Sequence, residues 1–513
     1  MDADVIIVGA GPTGLMLATE LRLAGVRPLV LERQPQPRDT PKANGIGGQI
    51  LQLLHYRGLL ERFQAASTNP HPAPIFPFGG LHLNFTHLTD APLHALQLPQ
   101  ARLERLLTER ATELGAGIRR GCEVVGLSQD DDTVTAEVRG PDGTHQVTAR
   151  YVVGCDGAHS RVRDLAGIGF PGTTHPDVNR LGQVTMHQSL TRLDNGDLEV
   201  PGLGAIAAGY TRTDRGVFAF GWLTDDVMLV STVEDEPEVS DDGTPMTLAE
   251  LQDSIRHVLG AHVPLGEPLR LSRFIFQARQ AERYRAGRIL LAGDAAHLFP
   301  ATGAALNAGL LDTVNLAWKL AAAIHGQAPD GLLDTYHDER HFAGARTLLQ
   351  TRAQAALRRG QDTAAEALRD VFRELLLDEP ALRRMGALVA GADIRYPMPG
   401  SDRDALTGTF VPDLTLHTDQ GTTSIAELMH AARPVLLDLA DRPELREIAR
   451  EWEHLVDIRM AKTDGPPADA LLIRPDAHVA WAAKRAEPAD TAAPALREAL
   501  CHWFGTGPRQ DRS

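Results

Sequence analysis

The alternation of apolar and polar positions predicts a strand, a helix and a second strand at the start of the chain. Residues 5–8 are all apolar, residues 13–24 repeat apolar positions at helical spacing, and residues 28–31 are largely apolar again. Short apolar runs are typical of buried strands, and a helical period between two of them indicates a βαβ unit. This segment predicts an α/β fold with a parallel sheet.

The pattern changes twice farther along the chain. Strands predicted near 123–127, 134–138 and 147–149 form an antiparallel insertion. Between about 170 and 276 short apolar runs alternate with Gly, Asp and Thr, and 397–407 is a Pro- and Gly-rich linker. We predict a dinucleotide-binding domain (1–75, 100–169 and 277–396), an α+β substrate domain (76–99 and 170–276) and a C-terminal α/β domain (397–513).

Composition and charge exclude several classes of function for this chain. The chain has 513 residues and a formal net charge of -16, and its basic residues are dispersed, which argues against a nucleic-acid partner. The most apolar long stretch, 304–324, contains Asn307, Asp312, Asn315 and Lys319 and therefore predicts a buried or amphipathic helix rather than a membrane span. Cys122, Cys155 and Cys501 lie far apart, so we expect neither a disulfide framework nor a metal site, and a cytoplasmic location.

The first chemical motif is a glycine-rich turn between the first strand and helix. Gly9, Gly11 and Gly14 have the spacing that permits a tight turn, close approach to a pyrophosphate, and tight packing of helix against strand. Glu32 follows Gly14 by 18 residues, at the end of the second strand. A carboxylate there can accept hydrogen bonds from an adenosine ribose, so the motif predicts a dinucleotide site.

Two Asp-containing motifs also follow predicted strands. Asp294 comes after the strand at 289–292 and before a helix, a position from which an Asp can bind the ribityl hydroxyls of a flavin. The N-terminus of that helix would face the pyrimidine edge, where negative charge accumulates on reduction. Asp156 and Gly157 follow the strand at 151–153. Three motifs in this order favour FAD over NAD.

The motifs together resemble those of the FAD-dependent group A aromatic hydroxylases, the p-hydroxybenzoate hydroxylase superfamily, and within it the actinobacterial polyketide-tailoring branch. The likeness covers essentially the whole chain. It is carried by GAGPTGL near the start, RGLLERF at 57–63, GCDGAHSRVR, AERYRAGRILLAGDAAH, LLDTYHDERH at 332–341 and LLIRPDAHVAW at 471–481. The resemblance implies a glutathione-reductase-like (Rossmann-type) FAD-binding domain and a thioredoxin-like C-terminal domain. The latter holds only Cys501 and so lacks a redox dithiol, which leaves it a structural or assembly role.

The resemblance also implies residue roles. Asp156 and Gly157 would serve both FAD and the pyridine nucleotide, with Arg161 as a phosphate partner. For Arg102, Arg161 and Arg163 a surface ion pair is the alternative interpretation. The cofactor-binding residues implied by the resemblance are Gly9, Gly11, Pro12, Thr13, Gly14, Glu32, Arg33, Lys42, Arg102, Asp156, Gly157, Asp294, Gly303, Leu306 and Asn307.

The catalytic acid or base is not identified by the sequence. His297 lies in the Gly-Asp motif, where a structural role is the more frequent one. Phe218, Phe220 and Trp222 alternate along one predicted strand and could line a substrate pocket, or they could form a packed strand face.

Two segments depart from the family pattern. The flavin loop usually reads Pro-Pro-x-Gly-Gly-Gln-Gly-Leu-Asn, but residues 300–307 are one residue shorter and lack two of its glycines. Those glycines let backbone N–H groups approach the isoalloxazine ring. Lys42 and Gln49 stand where Arg is usual or frequent, which weakens phosphate recognition in the path for NAD(P)H.

Two enzyme hypotheses follow. The first is an NADPH- or NADH-dependent monooxygenase that uses O2 and a flavin C4a-hydroperoxide to hydroxylate a polycyclic polyketide intermediate. The alternative is a redox-silent FAD-dependent cyclase that forms a decalin by (4+2) cycloaddition, as in spirotetronate-type pathways. A non-catalytic flavin-binding protein is a third hypothesis, but it gives the substrate domain no function. The expected partner is a small molecule, and a homo-oligomer stays open.

Overall fold

The computed structural model describes residues 1–37, 43–67, 69–234, 244–300, 303–359 and 363–506. The α-helices are α1 (Pro12–Leu23), α2 (Gln49–Tyr56), α3 (Leu60–Ala65), α4 (Gln100–Glu113), α5 (Arg161–Leu165), α6 (Leu248–Leu259), α7 (Ala305–Ile324), α8 (Thr335–Arg359), α9 (Thr363–Leu375), α10 (Glu379–Ala390), α11 (Ile425–Leu428), α12 (Pro443–Ala449) and α13 (Ala489–Phe504). Short 3-10 turns lie at Gly293–Ala295 and Arg450–Trp452.

The β-strands run through all three parts of the chain. They are β1 (Val5–Val8), β2 (Pro28–Glu32), β3 (Ile46–Gly47), β4 (Asn69–Ala73), β5 (Ile75–Phe78), β6 (Leu81–Asn84), β7 (Ala95–Gln97), β8 (Gly117–Arg120), β9 (Glu123–Gln129), β10 (Val134–Gly140), β11 (Gly143–Ala149), β12 (Tyr151–Gly154), β13 (Gly172–Thr185), β14 (Thr191–Arg192), β15 (Leu198–Val200), β16 (Gly204–Ile206), β17 (Gly209–Thr213), β18 (Gly216–Trp222), β19 (Val227–Glu234), β20 (Pro268–Gln280), β21 (Arg285–Ala286), β22 (Ile289–Leu291), β23 (His297–Leu298), β24 (Thr415–Thr418), β25 (Gly421–Ser424), β26 (Val435–Asp438), β27 (Asp457–Met460), β28 (Ala470–Ile473) and β29 (Val479–Ala483).

The central sheet of the first domain has the strand order β21–β22–β12–β1–β2–β8. Strand β1 pairs in parallel with both β2 and β12, and every residue of β1 and β12 is buried. Helices cover both faces of such a sheet, which is why its strands read as continuous apolar runs. The predicted α/β fold is confirmed, and the antiparallel insertion is the β9–β10–β11 sheet.

The second domain contains an antiparallel sheet with the order β17–β18–β19–β13–β20–β23. Helix α6 packs on one face of this sheet, with a core that includes Phe218, Val230 and Ile255. Thr247 caps the helix by accepting from Glu250 N, and Gly260 ends it with a φ of 72°. These two signals set the ends of the helix, and its buried side packs on one face of the sheet.

The C-terminal part of the chain is built around the mixed sheet β27–β26–β28–β29. Strands β28 and β29 are fully buried, and α12 and α13 pack with Trp452 and Trp503 in one core. This arrangement is consistent with the predicted small α/β domain. Among the helices in the described ranges, none is long and apolar enough to cross a lipid bilayer.

Candidate functional site

The glycine turn after β1 leaves an open cradle at the start of α1. A Cβ on Gly9 would overlap the carbonyl oxygen of Cys155, and a Cβ on Gly14 would overlap that of Gly9. Around Gly11, by contrast, no described atom outside the adjoining residues lies within 4 Å of a Cβ position. The helix begins at Pro12 without a side-chain cap, so its first N–H groups are available to an anion.

Glu32 lies at the end of β2 beside this turn. Its carboxylate accepts hydrogen bonds from Ala10 N and from Gln34 N, each over 2.8 Å. The two bonds hold a half-buried carboxylate at the edge of the cradle, where a ribose would meet it. Arg33, the next residue, is exposed.

Asp156 organises the loop after β12. Its Oδ1 accepts from Ser160 Oγ over 2.6 Å and its Oδ2 accepts from Val162 N over 3.1 Å. Burial raises the pKa of Asp156, although these hydrogen bonds oppose the rise. Gly157 has a φ of 87°, so the chain turns here in a conformation that favours glycine.

Arg163 joins the two Asp-containing motifs from inside the protein. It donates to Ala295 O over 3.1 Å and to Ala158 O over 3.2 Å, and its guanidinium lies 3.9 Å from the centre of the Phe170 ring. Arg163 itself is 7% exposed, and the Oδ1 atom of exposed Asp164 lies 3.9 Å from its guanidinium. Arg161 is exposed, and its guanidinium donates to Val125 O over 3.4 Å.

Asp312 holds the turn that carries Asp294. Gly293 N donates to Asp312 Oδ2 over 3.0 Å, and His297 Nε2 donates to the same oxygen over 2.8 Å. Burial opposes ionisation of Asp312, but the charge of Arg340 lowers its pKa below the ordinary value. His297 is therefore a buried structural residue, as its motif suggests.

The loop before α7 contacts the segment around β3. Asn307 Nδ2 donates to Gly303 O over 2.8 Å, while Asn307 Oδ1 accepts from Gly47 N over 3.2 Å. Gly303 has a φ of 88°, and a Cβ there would lie 3.2 Å from the Phe76 ring. The two segments are therefore in direct contact.

Leu306 and Arg102 are further predicted cofactor residues within the described ranges. Leu306 is half-buried in the first turn of α7. Arg102 donates to Ala66 O over 2.7 Å. Lys42 and residues 301–302 of the flavin loop lie outside the described residues.

The aromatic side chains of β18 correct one expectation. Phe218 and Phe220 are buried in the core against α6, and Trp222 packs against the same core and donates its Nε1 hydrogen to Gly196 O. Strand alternation places all three on the covered face of the sheet. They form a packed strand face rather than a pocket lining.

The other face of the sheet carries a different set of side chains. Small residues occupy its floor on β18, and the position of a Cβ on Gly221 meets no described atom within 4 Å. By strand register the open face consists of Val217, Ala219, Gly221, Leu229, Ser231, Val233, Asn179, Leu181, Gln183, Arg270, Ser272, Phe274 and Phe276. Phe274 and Phe276 meet edge to face with centroids 5.3 Å apart.

A cavity of about 760 Å³ borders the open face. The sheet contributes Tyr210, Arg212 and Val217 to its lining, and α8 contributes Leu357 and Arg358. Arg212 donates to Arg358 O over 3.1 Å, and the Arg358 guanidinium lies 5.0 Å from the centre of the Phe276 ring. The volume falls in the range of small-molecule sites, which is roughly 300–1,000 Å³.

Sequence reasoning missed Asp312 as part of the site and left Arg163 between a functional role and a surface ion pair. A usable signal existed for Asp312, because an ionisable residue within an apolar helical stretch needs a buried partner. No local signal identified the partner of Arg163, since Ala295 is 132 residues away along the chain.

Comparisons with known proteins agree with this geometry. Two family descriptions match: "FAD binding domain" over residues 2–351 and "Aromatic-ring hydroxylase, C-terminal" over residues 404–507. The chain is 42% identical to a 12-dehydrotetracycline 5-monooxygenase/anhydrotetracycline 6-monooxygenase of Streptomyces rimosus, covering 98% of this chain and 99% of that protein. It is 38% identical to a dialkyldecalin synthase of Streptomyces rugosporus over 98% of this chain and 99% of that protein.

Solved structures give the same picture. The anhydrotetracycline hydroxylase OxyS from Streptomyces rimosus superposes with a TM-score of 0.87 at 41% identity, over 99% of this chain and 100% of that chain. The similarity therefore extends over all the sheets described above.

Proposed function

The chain belongs to the FAD-dependent aromatic-ring hydroxylases, and on this premise we propose that it is an NAD(P)H- and O2-dependent monooxygenase that hydroxylates a polycyclic polyketide intermediate in antibiotic biosynthesis. The observation that carries the proposal is the pairing of an open cradle at Gly11 with an open sheet face whose floor is Val217, Ala219 and Gly221. The cradle has space for a pyrophosphate, and the open sheet face has space for a flat ring system.

The residues of the first domain would bind and orient FAD. The N–H groups at the start of α1 would bind the pyrophosphate, Glu32 the ribose, and Asp294 the ribityl chain. When bound, FAD accepts a hydride from the reduced nicotinamide and activates O2 for transfer to the substrate. The protein's own task is to hold the substrate and exclude water.

The open sheet face would bind the substrate. Its half-buried aromatic side chains, Phe274 and Phe276, could stack on a polycyclic ring, and the small residues of β18 leave space for its breadth. The tetracycline-type relatives support a polyketide substrate for this chain. NADPH or NADH would approach near Asp156 and Arg161, where an exposed guanidinium is available to a phosphate.

A second candidate function is the redox-silent cyclase. The 38% identity to a dialkyldecalin synthase favours it, as does the flavin loop that lacks two glycines of the usual pattern. Such an enzyme keeps the FAD cradle but needs no path for a hydride. The two candidates therefore differ in whether the flavin is reduced.

The domain boundaries and the location remain parts of the proposal. We place the FAD-binding domain at 1–75, 100–169 and 277–396, the substrate domain at 76–99 and 170–276, and the C-terminal domain at 397–513. The start of the second family match at residue 404 supports the last boundary. The free thiols Cys122 and Cys155, both buried, suit a reducing cytoplasm.

Anaerobic flavin reduction tests the proposal. The holoenzyme is mixed with NADPH or NADH, with and without anhydrotetracycline or an angucyclinone, and the oxidised-flavin absorbance is followed. We expect bleaching that a polycyclic ligand accelerates, and after admission of 18O2 a product that carries one labelled oxygen atom. Persistent absorbance under every condition, together with conversion of a linear polyene to a decalin, would overturn the monooxygenase and support the cyclase.

A further inference from the structure

Arg270 and Gln183 are neighbours across the β13–β20 pair on the open face. The register places Gln183 opposite Arg270, two residues along each strand from the pair Leu181 and Ser272 and therefore on the same face. Alternate residues of both strands, such as Arg180 and Arg273, point the other way and bind Glu250 of α6. Strand alternation therefore directs Arg270 and Gln183 into the space that we assign to the substrate.

Both side chains lack a partner within the described part of the protein. Gln183 is 9% exposed, yet no hydrogen bond satisfies its amide there. Arg270 is half-buried, no carboxylate pairs with it in the described ranges, and burial lowers its pKa. Other arginines of this sheet, Arg180 and Arg273, each bind a carboxylate. The amide atoms of Gln183 are not among the buried unpartnered polar atoms, so a ligand oxygen can reach them and replace water as their hydrogen-bond partner.

The position of the pair along the strand sets its distance from the cofactor. Strand β20 ends at Gln280 beside His297, next to the Gly293 turn. Arg270 lies at the opposite end, four residues before Phe274, which corresponds to about 13 Å at the rise of a strand. A linearly fused polycycle that stacks on Phe274 would bring the substituents of its far ring to Arg270.

The chemistry of the two side chains selects the group that they would bind. A guanidinium presents two parallel N–H donors, which match two oxygens that share one negative charge. A carboxylate has this geometry, and so has the enolate of a 1,3-dicarbonyl. The Gln183 amide can donate a further hydrogen bond to the same oxygens.

We propose that Arg270 and Gln183 form a subsite for a delocalised oxyanion on the ring of the substrate that is farthest from the flavin. The subsite fixes the orientation of the polycycle and thereby the carbon that faces the cofactor. This inference rests on the proposed function, because it uses the open face as the substrate site.

Ligand binding to the holoenzyme tests the subsite. The probes are anthraquinone, anthraquinone-2-carboxylate and anhydrotetracycline, which are neutral, a carboxylate and a 1,3-dicarbonyl enolate, and binding is followed by perturbation of the flavin spectrum. Arg270→Gln should raise the Kd of at least one anionic probe roughly 10- to 100-fold and change that of anthraquinone by less than about twofold. Arg270→Lys should recover part of the loss, and Gln183→Leu should weaken the same probe.

The control is Arg256→Gln, on an exposed position of α6 where Arg256 pairs with Asp253. It should leave all three affinities unchanged. An effect of Arg270→Gln on the carboxylate alone, or on the enolate alone, identifies the group. Equal affinities of wild type and Arg270→Gln for both anionic probes would overturn the subsite, as would failure of wild type to bind either.

Failure of the function is separable from failure of the subsite. If wild type binds anionic probes through Arg270 but neither NADPH nor NADH reduces its flavin, the subsite is supported and the monooxygenase function is refuted. If wild type hydroxylates a polycycle and Arg270→Gln does so with the same KM and the same product, the monooxygenase function is supported and the subsite is refuted.

Discussion

Arg340 and Asp312 form a fully buried ion pair, in which Arg340 Nε donates to Asp312 Oδ1 over 2.7 Å. The second oxygen of Asp312 accepts from Gly293 N, immediately before Asp294. Arg340 also donates to the Tyr396 hydroxyl over 2.8 Å. The pair therefore connects the turn beside the flavin site to the segment that leads into the C-terminal domain.

The C-terminal domain completes this buried network. The Tyr396 ring stacks on His478 with centroids 4.4 Å apart. Arg474, fully buried, donates to Glu339 Oε1 over 2.6 Å, and Glu339 is the neighbour of Arg340 on α8. Of two consecutive residues of α8, Arg340 thus supports the Gly293 turn through Asp312, and Glu339 binds the C-terminal domain. Through this network the C-terminal domain, which lacks a redox dithiol, has a structural role.

Replacement of Arg340 by Met should be strongly destabilising. The substitution leaves Asp312 buried without its cation, and breaking a buried pair in this way costs about 3–5 kcal/mol in the free energy of unfolding. FAD affinity should also fall, since the Gly293 turn loses its support. Chemical denaturation of the apoprotein measures the first effect, and titration with FAD under flavin fluorescence measures the second.

Arg27→Met is the matched control for that variant. Arg27 is exposed and pairs with Asp4 at the surface. Exposed pairs contribute about 0–1 kcal/mol. Equal losses of stability in the two variants would contradict the role assigned to Arg340.

The first domain could be predicted in some detail because its signals are local. Continuous apolar runs such as 5–8 identify strands that are buried on both faces, and the glycine spacing identifies the turn after them. The strand ends that carry Glu32 and Asp294 then follow from the order of the elements. No long-range information was needed for any of these.

The substrate face could not be predicted for a physical reason. Alternation along 216–222 shows that the strand has two different faces, but not which one a helix covers. The aromatic side chains of β18 could be interpreted as a pocket lining or as a packed face; in the structure α6 covers them and the small residues face the open side. The role of Arg163 is equally non-local, because its partner Ala295 is 132 residues away.

Substitution of two glycines in the first turn should separate folding from cofactor binding. Gly11→Ala should leave the free energy of unfolding of the apoprotein within about 1 kcal/mol, because its Cβ meets open space. Its FAD affinity should fall at least about tenfold, since the methyl group occupies the space for the pyrophosphate. Gly14→Ala should yield little folded protein, because its Cβ overlaps Gly9 O. Measured FAD dissociation constants and denaturation curves decide this, and a Gly11→Ala variant with unchanged FAD affinity would contradict the assigned cradle.

Lys319 should make stability depend on pH in the alkaline range. Burial lowers its pKa from 10.5 to about 8, although Glu339 opposes the change. Between these values the unfolded chain holds a proton that the folded protein has lost, so the free energy of unfolding rises with pH. The slope contributed by this residue is at most about 1.4 kcal/mol per pH unit. Denaturation at a series of pH values from 8 to 10 should show a smaller slope for Lys319→Met than for wild type, and identical slopes would refute the assignment.

Two adjacent residues of β18 test which face of the sheet receives the substrate. Ala219 lies on the open face and Phe218 lies in the core against α6. Ala219→Phe should fill the open face, raise the Kd of a polycyclic ligand at least about tenfold, and leave FAD affinity unchanged.

Phe218→Leu should affect stability rather than ligand binding. It removes packing in the core of the second domain and should lower the free energy of unfolding by about 1–3 kcal/mol, while the ligand Kd stays close to that of wild type. Spectral titration of both holoenzymes with the same ligand, together with their denaturation curves, makes the comparison. Loss of ligand binding in Phe218→Leu alone would show that the substrate meets the α6 side, because a large side chain at Ala219 would then have left the true pocket untouched.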